Sequence, residues 1–130
     1  MRNALLIAMV FGAFACHKKT DGGVRMKQVN DALIGAGFKL DTFKPADPNR
    51  FAAQSCAAGV LEGVEAVVCE YGSPQAEAAG QKAGEDWIAQ ASTGTVLANG
   101  NTLIALADRG HADPNGKIIH KIATAYRATR

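Results

Sequence analysis

The chain has 130 residues, 48% of them hydrophobic and 20% charged, a composition that folds as one domain. A net charge of +2 gives no case for nucleic acid or an anionic membrane surface. One Trp, two Tyr and five Phe are too few for an aromatic base-stacking platform.

The N-terminus reads as a targeting segment. Arg2 is a positive start, Ala4 to Phe11 is an apolar run too short to span a bilayer, and Ala13-Phe14-Ala15 has small residues at the two positions a signal peptidase reads. Cys16 follows at once. Residues 1–16 thereby resemble a bacterial lipoprotein precursor, a family cut just before a cysteine that carries the lipid. The chain departs from the usual pattern in having Ala13 where an aliphatic residue is common and Phe14 where a small one is. The resemblance implies a signal peptide over 1–15, lipidation of Cys16, and export to the cell envelope with the membrane held through an N-terminal lipid. Ordinary signal cleavage at the same bond, releasing a soluble secreted chain, is the alternative. His17 to Gly23 is polar with two glycines, so 16–23 reads as a flexible tether and 24–130 as a single α+β domain.

Met26, Val29, Leu33 and Ala36 recur at helical spacing, which predicts a helix over 24–36 with Gly37 as its stop. Phe38 and Leu40 allow a short strand. Pro45 and Pro48 break any ladder that follows, Asp47-Pro48 can cap one helical turn, and Phe43 and Phe51 should cover an edge of the core.

Ser55 to Tyr71 is the most informative stretch. Two apolar runs flank Glu62-Gly63, and a two-residue loop there makes Leu61 and Val64 the closing pair. Counting outward places Cys56 opposite Cys69 on a non-hydrogen-bonded pair, where side chains are closest. That geometry predicts a cross-strand disulfide. Three cysteines are odd for an exported chain, and a lipidated Cys16 would leave this pair.

Ser73-Pro74 is a helix start, with the helix running to about Ser92 and facing the sheet through Ala76, Gly80, Ala83, Gly84, Trp87, Ile88 and Ala91. Asn99-Gly100 then marks a second hairpin joining 94–98 to 101–107. Asp113-Pro114 repeats the cap signal before a last helix to Ala128. The pattern is a helix followed by two ββα units. It predicts a four-stranded antiparallel sheet in order 1-2-4-3 with helices on one face, a permuted ferredoxin-like sandwich, which implies no function.

Chemistry is sparse. His17, His111 and His120 have no second ligand at metal spacing, there is no GxSxG or CxxC motif, and no glycine loop cradles phosphate, so neither a metal nor a cofactor is expected. A Cys56/Cys69 redox pair is disfavoured because neither sulfur would sit at a helix N-terminus. The most polar cluster is Asp108, Arg109, His111 and Asp113. Its residue types suit acid–base work, but a solvated loop between strand and helix looks the same. Strand 64–69 is apolar on both faces, more than one layer of helices can cover, so part of the sheet is expected to meet a partner. Two readings stand: a non-enzymatic binding or accessory domain that meets an envelope protein, and a small envelope enzyme or ligand site built on the Asp108–Asp113 loop.

Overall fold

A computed structural model describes residues 25–129. The readings of 1–15 as signal peptide, 16–23 as tether and Cys16 as the lipid-bearing residue lie outside the described residues. The elements are α1 (Met26–Gly35), β1 (Lys44–Ala46), a 3-10 turn (Pro48–Phe51), β2 (Ser55–Leu61), β3 (Val64–Glu70), α2 (Pro74–Ile88), β4 (Thr93–Asn99), β5 (Thr102–Asp108) and α3 (Lys117–Arg127). They form an α+β fold with one open antiparallel sheet in order β1-β2-β3-β5-β4.

Helix α1 stops as its sequence asks. Gly37 takes φ 96°, its N–H donates to the Ile34 carbonyl, and the Phe38 N–H donates to that of Leu33. This is the Schellman arrangement, and buried Phe38 supplies the apolar contact that accompanies it.

The first hairpin has the expected register, with Leu61 opposite Val64 and Cys56 opposite Cys69. Glu62 and Gly63 both take positive φ, as a type I′ loop requires. Cys56 and Cys69 are joined by a disulfide with their Cα atoms 4.1 Å apart, close to the spacing of a non-hydrogen-bonded pair. The second hairpin turns one residue later than expected: Asn99 pairs with Thr102, leaving Gly100-Asn101 as the loop. Positive φ falls on Gly100 alone, the first central position, where a type II′ turn wants glycine.

Two expectations are corrected. The sheet has five strands, not four. The added strand β1 contains Pro45, which pairs with Ala57. Pro45 is tolerated because β1 is an edge and its missing N–H lies on the outer side. The helices also lie on both faces, not one. Val64, Ala66 and Val68 of β3, with Ile104 and Leu106 of β5, pack under α1 and α3 through Val29, Leu33, Ile119, Ile122 and Tyr126. Val67 and Cys69, with Leu103 and Ala105, pack under α2 and Phe51 through Ala76, Ala83, Trp87 and Ile88. A one-faced ferredoxin-like sandwich is therefore not what forms. Both apolar faces of the central strands β3 and β5 are satisfied within the chain, which removes the inference that the doubly apolar strand 64–69 needs a partner.

Close approach of α2 to the sheet depends on its glycines. A Cβ built at Gly80 would overlap the Tyr71 hydroxyl and lie 2.7 Å from its Cε1. That hydroxyl is buried and donates to the Phe51 carbonyl at 2.8 Å, tying the 3-10 turn to the residue that follows β3. Across the sheet, Tyr126 and Thr102 share a buried hydroxyl–hydroxyl bond of 2.9 Å, and the Asn99 amide donates to the carbonyls of Tyr126 and Thr129. This network pins the end of α3 to the second hairpin.

Candidate functional site

The polar cluster between β5 and α3 is built as a clasp. Asp108 is 1% exposed and Asp113 3% exposed. The Asp108 carboxylate accepts from the Ala112 and Asp113 N–H groups, each at 2.9 Å. The Asp113 carboxylate accepts from Ile118 at 3.0 Å and Ile119 at 2.8 Å, so it caps α3. It does so across a turn over 114–116, with Gly116 at φ 70°, which is why α3 begins at Lys117 and not at Pro114. Each carboxylate oxygen of the pair thus meets a main-chain donor. Reading the whole loop as solvated is corrected for these two residues, whereas Arg109, Gly110, His111 and Ala112 are exposed.

The exposed half of the loop reaches back to α2. Arg109 donates to the Trp87 carbonyl at the helix C-terminus and to Glu65 Oε2 at 3.0 Å. Its guanidinium stands 4.5 Å from the Trp87 ring centroid. A cation that takes up a last-turn carbonyl suits the negative end of a helix. It also helps explain why α2 closes at Ile88, short of the expected Ser92. His111 holds φ 56°, and its Nδ1 lies 3.2 Å from the Ser92 hydroxyl, a contact no spacing in the sequence announces. The structure therefore brings Asp108 and Asp113 together in the interior and sends Arg109 and His111 outward to opposite ends of the α2–β4 connection.

A second feature was missed. Phe51 meets Trp87 edge-on at 6.2 Å between centroids, Arg50 stands 5.9 Å from the Phe51 ring, and Arg109 covers Trp87. Arg50, Ala83, Asp86 and Trp87 line an open cleft of about 240 Å³ on the α2 face. No ion pair ties up Arg50 or Asp86 among the described residues. The sequence placed Trp87 on the sheet-facing stripe and gave no sign that the 3-10 turn would carry Arg50 beside it. A larger cleft, about 370 Å³, is lined by Gly37, Lys39, Asp41, Val60 and Glu62. Neither cleft is lined by Asp108, Arg109, His111 or Asp113.

The disulfide is interior. Cys56 is 5% exposed and Cys69 fully buried, both within the cluster under Phe51 and α2. Such burial hinders the approach of a thiolate and suits a structural bridge. Burial also pushes the hydroxyl of Tyr71 up to about 12, with the Glu77 carboxylate adding to the effect, and that of Tyr126 up to about 12. Glu77 itself is raised by burial. Among the described residues, no three His, Cys, Asp or Glu side chains are grouped to hold a metal ion. No protein-family model, curated protein or solved structure matches the chain.

Proposed function

We propose that the chain is a lipid-anchored protein of the bacterial cell envelope whose folded domain is a binding or accessory domain and not an enzyme. The observation that carries the second half is the use of Asp108 and Asp113. Both carboxylates are buried and hold main-chain N–H groups, so the acid–base types in the loop serve the fold. The address rests on the lipoprotein-like residues 1–16, with the buried Cys56–Cys69 bridge in keeping with an oxidising compartment. On this reading the cleft beside Trp87 is the surface that faces an envelope partner, since its Arg50 and Asp86 are charged, exposed and in no ion pair among the described residues.

Cys16→Ser tests the address: the variant should leave the membrane fraction with its fold intact, and equal membrane association would refute the anchor. The competing enzyme reading has one observation in its favour, the Ser92–His111 pair. His111→Ala separates the two, because the side chain is exposed and its loss should leave the domain folded. An unchanged cellular phenotype is expected; loss of the phenotype with the fold intact would favour the enzyme.

A further inference from the structure

The two edges of the sheet are treated differently. Strand β1 has three residues, and its outward-facing position is Pro45, which has no N–H to offer. Beyond β1, the outward N–H and C=O of Val60 are both bonded by the Thr42 hydroxyl, at 2.9 and 3.1 Å. That edge is closed.

The edge at β4 is open. The closing pair Asn99–Thr102 is hydrogen-bonded, so alternation assigns Leu97, Thr95 and Thr93 to the ladder with β5. The main-chain groups of Gly94, Val96 and Ala98 then point away from the sheet. None of these three residues has a hydrogen bond to any described residue outside the strand ladder. The strand is seven residues long, TGTVLAN, with no charge and no proline. Gly94 and Ala98 are exposed, while Val96 and Leu97 are half-buried, each leaving part of an apolar side chain at the rim.

We propose that β4 is a self-association edge, at which two copies of the chain pair their β4 strands antiparallel about a twofold axis through Val96. The sequence is self-complementary in that register. Val96 meets its own copy, Gly94 meets Ala98, and Thr95 meets Leu97. Every outward N–H and C=O between 94 and 98 then finds a partner, and small residues flank the central valine pair. On the axis Val96 meets its own copy, where a charge would repel its like; neither Val96 nor any other residue of the strand is charged. The product is one continuous sheet across both copies, closed by symmetry. Only strand edges meet, which makes the association weak and reversible.

Sedimentation of the full chain in detergent, with any free thiol alkylated, tests this. The wild-type mass should rise from monomer to dimer with concentration and go no further. Ala98→Pro removes an outward N–H that the monomer does not use, and Ala98→Lys puts a charge on an exposed edge position. Each should weaken the dimer at least tenfold while circular dichroism and the Cys56–Cys69 bridge stay unchanged. Should the proline variant misfold, the lysine variant decides. A wild-type chain that stays monomeric up to about 1 mM, the weak end of the affinity scale, overturns the proposal. So does a dimer that persists in the folded lysine variant, or growth into open-ended oligomers.

Discussion

Replacing Asp108 by alanine is the sharpest probe of how the β5–α3 loop is held. The substitution removes both oxygens that receive the Ala112 and Asp113 N–H groups. The Asp113 N–H is buried and has no other acceptor among the described residues, so it bears the desolvation cost of an unmade bond, about 1–3 kcal/mol. Ala112 is exposed, and water can replace its lost partner for a smaller cost. Slackening the loop also frees the Asp113 carboxylate from the two N–H groups it caps, and a lost cap costs about 1 kcal/mol. The sum is a destabilisation of about 2–4 kcal/mol, a large share of the ~5–15 kcal/mol typical of a domain. Urea unfolding of the chain measures it, with an unchanged slope showing that only stability moved. Asp108→Asn keeps one acceptor but aims an amide N–H at the other donor, and should be destabilised as well. An unfolding free energy for Asp108→Ala within about 0.5 kcal/mol of wild type, as at ordinary surface sites, would refute the clasp.

Other outcomes follow from the packing. Gly80→Ala should cost about 1–3 kcal/mol in urea unfolding, as overpacking does, because the added methyl meets the Tyr71 ring and its bond to Phe51. Reducing the disulfide should cost up to about 3 kcal/mol for a loop of about 14 residues, and lower the melting temperature without changing the hairpin register. Alkaline titration should unfold the domain. The hydroxyls of Tyr71 and Tyr126 rise to about 12 in the fold against 10.0 ordinarily, so the unfolded chain loses these protons first. Their contribution is full below pH 10 and is lost as pH rises towards 12, which tyrosinate absorbance and circular dichroism should register as one coincident transition.

The local chemistry of this chain was more legible than its layering. Glu62-Gly63 and the flanking apolar runs set the first register and with it the disulfide, because a two-residue loop leaves one way to count. Gly37 and Ser73-Pro74 marked helix ends through backbone geometry that few other residues supply. Strand β1 was hidden because Pro45 argues against a strand unless the strand is an edge, and being an edge is a property of the whole sheet. The face chosen by α2 was hidden for a similar reason. The doubly apolar strand 64–69 could mean an exposed partner surface or a second layer of helix, and only the tertiary arrangement separates them. In the candidate site, the residue types of Asp108 and Asp113 were visible, but not that their oxygens serve main-chain donors four to six residues ahead. The cleft beside Trp87 depends on Arg50 and Asp86, which are distant in sequence, and nothing local links them.

Non-reducing peptide mapping of the protein isolated from envelope membranes tests the central claim, a lipid-anchored domain closed by one internal bridge. The expected result is a chain beginning at a lipid-modified Cys16 and a single peptide joining Cys56 to Cys69. A Cys16 linked to either of those residues, a retained segment 1–15, or free alkylatable thiols at 56 and 69 in the native protein would contradict it.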